Sequence, residues 1–247
     1  MTLPVLSKRL RAVADMAPRC GCVSDIGTDH GYIPVYLVCS GKADRAVAAD
    51  LRPGPLSAAR ANVNSFGLSD RISVRLSDGL GNISAEEAQV IVIAGMGGML
   101  TVRILSEGKE LMRGAKACIL EPQSDIDSVR RFLLSEGMMI TAEEMVSDAG
   151  KYYTVMRAEY SGDGDPAGLS AYGHADLMYG KLLIDSGDKV LEEKLDAGRV
   201  KTMEILRALE GSAPAGDAAL NPRTEARIEE LREELGYIDE ALSRIRR

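Results

Sequence analysis

Apolar and polar positions follow two alternating patterns along the first 160 residues. Short apolar runs typical of buried strands are followed by segments in which apolar residues recur every three or four positions, as on one face of a helix. An amphipathic helix over residues 6–17 comes first. This alternation predicts an α/β fold, with a parallel sheet and crossover helices on both faces. The predicted strands are 22–26, 45–50, 71–76, 89–94 and 115–120, and the helices are 32–40, 55–66, 99–106 and 124–136.

Two apolar-rich runs, residues 138–146 and 151–160, follow the alternating part of the chain. They flank a Ser-Asp-Ala-Gly turn at 147–150. Strand-like runs joined by a short turn predict a hairpin, so we expect an antiparallel pair of strands to complete the sheet.

Beyond residue 160 the pattern is helical. Residues 161–166, rich in glycine and aspartate, predict a linker between a domain over residues 1–160 and a helical domain over residues 161–247. The clearest periodicity lies near the end of the chain, with apolar residues three and four positions apart, as in a coiled coil. We predict that this last helix folds against an earlier one as an antiparallel helical hairpin, and the alternative is a coiled coil between two chains. Its seam is Ile228, Leu231, Leu235, Ile238, Leu242 and Ile245, and the partner helix carries Leu191, Leu195, Ile205 and Leu209.

The turn after the first predicted strand carries candidate chemistry. It reads Val-Ser-Asp-Ile-Gly-Thr-Asp-His-Gly over residues 23–31, with Asp25 ahead of the first glycine. A dinucleotide-binding loop instead reads G-x-G-x-x-G, and its second glycine lets the backbone close on a pyrophosphate. Thr28 and Asp29 disfavour that approach. S-adenosylmethionine carries an ammonium and a sulfonium group, so acids around the loop favour this donor.

Further acids follow the next two strands. Asp50 ends the second strand 19 residues after Gly31, where a carboxylate can accept both ribose hydroxyls. Asp78 follows the third strand, where it can accept the adenine amino group. The carboxyl ends of parallel strands meet at one sheet edge, so these acids predict a single donor pocket. The predicted donor contacts are Asp25, Gly27, Thr28, His30, Gly31, Asp50, Leu51, Asp78, Gly79 and Ala94.

The fourth strand ends in Ala-Gly-Met-Gly-Gly at residues 94–98, where glycines let a substrate approach the backbone or simply permit a tight turn. The D-I-G-T-D-H-G block at residues 25–31 and the A-G-M-G-G block, with residues 6–10, 54–56 and 78–80, resemble the bacterial tRNA (adenine(22)-N(1))-methyltransferase family. The resemblance covers residues 1 to about 160. It implies a class I (Rossmann-like) methyltransferase fold with an appended coiled coil, S-adenosyl-L-methionine as donor and N1 of a tRNA adenine as acceptor. Where the family has a Gln-Pro-Asn-like stretch, this chain has Glu121-Pro122-Gln123-Ser124.

Adenine N1 has a lone pair and no proton, so its attack on the methyl group needs no general base. The product is a cation, and catalysis should depend on positioning and on negative charge near the base. We predict Asp29 as the stabilising group, with Gly95, Met96 and Gly97 lining the acceptor pocket. The alternative role of Asp29 is a helix N-cap. Alternative functions are methylation of another RNA base, a nicotinamide-dependent oxidoreductase and a non-catalytic interaction protein.

The net charge of −7 disfavours a polyanionic partner at first sight. Residues 1–160, however, hold 18 Lys and Arg against 19 Asp and Glu, whereas residues 161–247 hold 12 against 18. The excess negative charge therefore belongs mainly to the helical part, and several acids of the first part are assigned to the donor pocket. The remaining basic residues predict a local surface for tRNA, formed by Lys8, Arg9, Arg11, Arg130, Arg131 and Lys151.

Four cysteines and two histidines offer no zinc pattern, because Cys20-Gly21-Cys22 is one residue too short for the usual C-x₂-C turn. No export signal or membrane-length apolar run is recognisable. We therefore expect a cytoplasmic protein with no metal, no membrane association and no obligate protein partner.

Overall fold

A seven-stranded sheet forms the centre of the N-terminal part of the chain, with strand order β3-β2-β1-β4-β5-β7-β6. The computed structural model describes residues 3–162, 169–211 and 221–247. Strands β1 to β5 pair in parallel, whereas β7 runs antiparallel to both β5 and β6. The predicted α/β fold with an antiparallel final hairpin is confirmed. The strands are Cys20–Ile26, Ala43–Asp50, Ile72–Leu76, Val90–Met96, Ala117–Pro122, Met138–Asp148 and Lys151–Tyr160.

Helices cover the sheet and leave its central strands buried. Strand β5 is buried at every residue, and β4 is buried from Val90 to Ile93, as expected for parallel strands packed on both faces. Helix α1 begins after Ser7, whose hydroxyl accepts a hydrogen bond from the Leu10 N–H. The short helix α5 was not predicted, because its six residues are too few to show a period. The helices are α1 Lys8–Met16, α2 Tyr32–Cys39, α3 Pro53–Ser65, α4 Gly98–Glu107, α5 Lys109–Gly114 and α6 Ile126–Ser135.

The chain divides into two compact units, Met1–Ala171 and Tyr172–Arg247. The predicted domain boundary after residue 160 stays a prediction, because residues 163–166 of the proposed linker lie outside the described part of the chain. None of the described helices is long and apolar enough to span a membrane. The described residues also contain no cluster of three or more His, Cys, Asp or Glu arranged to hold a metal ion.

The second unit contains a π-helical turn, Asp176–Gly180, followed by helices α7 (Lys181–Asp185), α8 (Lys189–Gly211) and α9 (Pro222–Ile245). Ion pairs show that α8 and α9 run antiparallel, as predicted: residues early in α8 pair with the end of the chain and residues late in α8 pair with the start of α9. Coiled-coil packing of the seam stays a prediction. The pairs are Glu192–Arg246, Asp196–Arg246, Arg199–Asp239 and Glu210–Arg232.

One residue of the predicted apolar face, Ile205, is not buried. Ile205 is exposed, whereas Thr202 is buried and its hydroxyl lies 3.4 Å from Glu234 Oε1 on α9. Thr202 stands seven positions after Leu195, so the heptad places it in the row that faces α9 although its side chain is polar.

Candidate active site

A cavity of about 690 Å³ opens at the carboxyl ends of β1, β2 and β4. This is the edge at which open α/β sheets bind ligands. All ten predicted donor contacts line it, as do the four predicted catalytic residues, Asp29, Gly95, Met96 and Gly97. Of the predicted tRNA contacts, Arg9 lies on its wall. The structure therefore brings the donor and acceptor motifs together around one space.

The loop after β1 depends on glycine at its first turn. Gly27 has a φ of +77°, and a Cβ built on it would lie 1.9 Å from Met96 Cε. The N–H groups of Gly27 and Thr28 both donate to the Ala49 carbonyl, at 2.8 and 2.9 Å, which ties the loop to β2. Gly27 thus lies against the tip of the Met96 side chain at the end of β4, and its positive φ favours glycine at this position.

Asp25, at the end of β1, is a buried acid, 4% exposed. Burial, with a smaller effect of the nearby Asp50 charge, raises its pKa to about 6, and Thr28 partly opposes the rise. No Lys or Arg of the described residues forms an ion pair with it. A buried carboxylate without a cation is costly, so this position is suited to a cationic ligand group.

The other two predicted donor acids each meet an arginine that sequence reasoning missed. Asp50 Oδ1 accepts a hydrogen bond from the Arg52 N–H at 2.7 Å and lies 3.6 Å from Arg52 Nε. Asp78 Oδ1 lies 3.1 Å from Arg103 Nη2 on α4. Arg52 could have been suspected from its position two residues after Asp50, whereas Arg103 is brought to Asp78 only by the fold.

Asp29 does not cap a helix. Helix α2 begins at Tyr32, and its N-cap is Gly31 with no side-chain hydrogen bond, so the N-cap alternative for Asp29 is wrong. The Asp29 side chain is 74% exposed at the cavity, and its Oδ2 lies 3.4 Å from His30 Nε2. It is therefore accessible to a substrate, and its catalytic role stays a prediction.

The acceptor side of the cavity is backed by Glu121, which sequence reasoning noted only as a departure from the family pattern. Its side chain is fully buried, and burial raises its pKa while the Arg9 charge opposes the rise. Glu121 Oε2 accepts hydrogen bonds from Arg9 Nη1 at 2.6 Å and from the Gly95 N–H at 2.9 Å. Gln123 donates to the other carboxylate oxygen. No local sequence signal marks this role, because its partners lie on α1 and β4.

The predicted tRNA contacts fall into three groups. Arg130 is wrong as a contact: its side chain is 1% exposed and pairs with Glu143 at 2.8 Å, because α6 turns this position toward the sheet. Arg9 is partly buried in the cavity wall rather than on an open surface. The remaining four stay predictions at accessible positions: Lys8 and Lys151 are exposed, Arg11 pairs with Asp15 at 2.7 Å, and Arg131 lies 3.8 Å from Asp127.

The strand order, the glycine loop and the acids at the strand ends define a donor-binding methyltransferase domain. In agreement, the family described as "Methyltransferase domain" matches residues 6–156. The chain is 34% identical to the Bacillus subtilis tRNA (adenine(22)-N(1))-methyltransferase over 239 residues, which are 96% of this chain and 97% of that protein. The chain belongs to the tRNA (adenine(22)-N(1))-methyltransferase family.

Solved structures agree over nearly the whole chain. The crystal structure of the B. subtilis M1A22 tRNA methyltransferase TrmK has 32% identity and a TM-score of 0.83, covering 98% of this chain and 100% of that one. A Streptococcus pneumoniae protein crystallised in complex with S-adenosyl-L-methionine has 30% identity and a TM-score of 0.81, covering 96% and 100%. The nicotinamide-dependent oxidoreductase alternative is therefore set aside.

Proposed function

We propose that this protein transfers a methyl group from S-adenosyl-L-methionine to N1 of adenine 22 in tRNA. The observation that carries the proposal is the cavity in which the acids at the ends of β1 and β2, the acid after β3 and the β4 glycines meet. Similarity to the B. subtilis enzyme over almost the full length supports the same acceptor.

The cavity fits this donor in charge and in shape. S-adenosyl-L-methionine supplies an electrophilic methyl group on a sulfonium. Asp25 has no basic partner among the described residues, so it can pair with the ammonium of the amino-acid end. We assign the ribose hydroxyls to Asp50 and the adenine amino group to Asp78, as the order of their strands predicts. Gly27 and Gly31 in the loop after β1 add cavity lining that carries no side chain.

On the acceptor side, the chain has to orient a base rather than remove a proton. We assign the acceptor side to Gly95, Met96 and Gly97, which line the cavity, and the two glycines let a base approach the backbone without a side chain in between. The exposed carboxylate of Asp29 adds negative charge on the same side. These groups would hold adenine N1 in line with the methyl group, which is the positioning on which a reaction without a general base depends.

The acceptor adenine has to leave its stack to enter the cavity. Arg9 in the wall, with Lys8, Arg11, Arg131 and Lys151 at accessible positions, forms the basic surface that we assign to the tRNA backbone. Binding through phosphates weakens as salt rises. An enzyme that acts on tRNA would work in the cytoplasm.

The test is methylation of bulk tRNA lacking modifications, followed by mapping of the methylated nucleotide. We expect 1-methyladenosine at position 22 and no product from tRNA whose adenine 22 is replaced by guanine. A methyl group on cytosine or guanine would overturn the acceptor assignment while leaving the donor site intact. In parallel, S-adenosylhomocysteine should raise the melting temperature and NAD should not, because only a bound ligand stabilises the folded state.

A further inference from the structure

Glu121 is a fully buried carboxylate that lies behind the acceptor side of the cavity and is not part of its lining. A buried carboxylate is retained only where its oxygens are satisfied by donors. Here one oxygen, Oε2, accepts from both the Arg9 guanidinium and the Gly95 backbone, and Oε1 accepts from Gln123. Glu121 therefore connects α1 to the end of β4.

The Gly95 N–H needs this partner because the strand pairing is interrupted there. The register of β4 against β5 shifts between Ala94 and Met96, and Gly95 takes a φ of +79°. Its N–H donates to the side chain of Glu121 on the neighbouring strand β5, with Oε2 at 2.9 Å. The Gln123 N–H then donates to the Met96 carbonyl at 2.7 Å. Residues 121 and 123 thus fix both ends of the peptide that faces the acceptor.

Arg9 is held by three contacts of its side chain and backbone. Its Nη1 lies 2.6 Å from Glu121 Oε2, and its guanidinium carbon lies 5.4 Å from the centre of the Tyr153 ring. Its backbone N–H donates to Asp148 Oδ2 at 3.1 Å. A guanidinium has five N–H donors, so the bond to Glu121 leaves others for a ligand in the cavity that Arg9 lines.

We propose that Glu121 is a positioning residue for methyl transfer, which holds the Arg9 guanidinium and the Gly95 backbone in fixed register on the acceptor side. The inference rests on the proposed function, because it assigns this side of the cavity to the adenine. Glu121 does not touch substrate and acts through its two partners. A displacement of about 1 Å in a reacting pair can cost on the order of 100-fold in rate, so a loosened wall lowers turnover even with both substrates bound.

The test compares Glu121→Ala with Glu121→Gln in steady-state methylation of tRNA. Glu121→Ala removes both carboxylate oxygens and should lower kcat by about 10- to 100-fold, because the Arg9 guanidinium and the Gly95 N–H lose their shared acceptor. The donor dissociation constant should stay within about threefold, because no donor-binding side chain contacts Glu121. An amide oxygen can still accept from Arg9 and Gly95, so Glu121→Gln should restore kcat to within about fivefold of the natural enzyme.

The matched control is Glu143→Ala, which breaks another buried ion pair, with Arg130 at 2.8 Å, away from the cavity lining. It should reduce stability while leaving kcat unchanged, which separates positioning from general destabilisation. The inference is overturned if folded Glu121→Ala keeps its kcat within twofold, or if Glu121→Gln is as slow as Glu121→Ala. Should Glu121→Ala not fold, Gln123→Ala replaces it, and an unchanged kcat in that variant overturns the inference equally. Failure of the natural protein to methylate adenine 22 would instead contradict the proposed function itself.

Discussion

The charge on Asp25 should lower the stability of the ligand-free protein and strengthen the binding of the donor. Its pKa of about 6 in the folded protein compares with an ordinary value of 3.8. The folded state therefore holds this proton more tightly than the unfolded state, and stability falls as pH rises from about 4 through 6. At 1.36 kcal/mol per pKa unit, the ionised carboxylate costs about 3 kcal/mol of unfolding free energy above pH 7.

Asp25→Asn removes the charge with almost no change of shape. We expect the variant to gain up to about 3 kcal/mol at pH 8, and the gain should shrink below pH 6 and nearly vanish by about pH 4. The same change should weaken donor binding by about 10- to 100-fold, because a charge-assisted bond to the ammonium, worth about 1.5–3 kcal/mol, is lost. In the natural protein, donor binding should tighten as pH rises through 6.

Urea denaturation at pH 4, 6 and 8 measures the stability, and calorimetric titration of the donor at pH 8 measures the affinity. The control is Asp50→Asn, another buried acid at a strand end, whose carboxylate already accepts a hydrogen bond from Arg52. This control should lose donor affinity without gaining stability at high pH. A pH-independent stability difference for Asp25→Asn, or unchanged donor affinity, would refute the reasoning.

Three further predictions concern the loop, the acceptor side and the tRNA surface. Gly27→Ala should lower the unfolding free energy by about 1 kcal/mol more than Gly41→Ala and should weaken donor binding. Gly27 and Gly41 have similar φ angles, +77° and +70°, but an added methyl group contacts Met96 only at Gly27. Equal losses of stability for the two variants in denaturation, or unchanged donor affinity of Gly27→Ala in calorimetry, would contradict this prediction. Asp29→Ala should reduce single-turnover rate far more than donor affinity, and a large loss of donor binding with normal chemistry would exclude a catalytic role. Arg11→Glu should weaken tRNA binding and flatten its salt dependence in fluorescence anisotropy, and unchanged affinity would show that the tRNA docks elsewhere.

The sheet and the donor side of the cavity could be predicted because their signals are local. Each strand is an apolar run, each helix has its own period, and a parallel sheet brings every strand's carboxyl end to one edge. Asp25, Asp50 and Asp78 could therefore be assigned to one pocket from their positions alone. The antiparallel last strand likewise followed from the turn at 147–150.

The acceptor side depends on contacts between distant elements, and these left no local signal. Glu121 and Arg9 are 112 residues apart, and neither belongs to a motif that implies the other. The charge of Arg130 predicts a surface position, although Val129 and Leu133 beside it are buried and mark the inward face of α6. Thr202 is the opposite case, because its polar side chain predicts an exposed position although it is buried in an otherwise apolar row.

The first helix of the chain is attached by the last hairpin of the N-terminal unit. Helix α1 packs against β5, β6 and β7, and the Arg9 N–H reaches Asp148, 139 residues further along. During synthesis, α1 can pack against α2 early, but the side that meets β6 and β7 stays uncovered until that hairpin has emerged and joined the sheet. Contacts of such long sequence separation form slowly. Helix α1 is thus translated before the sheet but completes its packing only after the last hairpin, and the enzyme has no complete acceptor wall until nearly the whole unit has been translated.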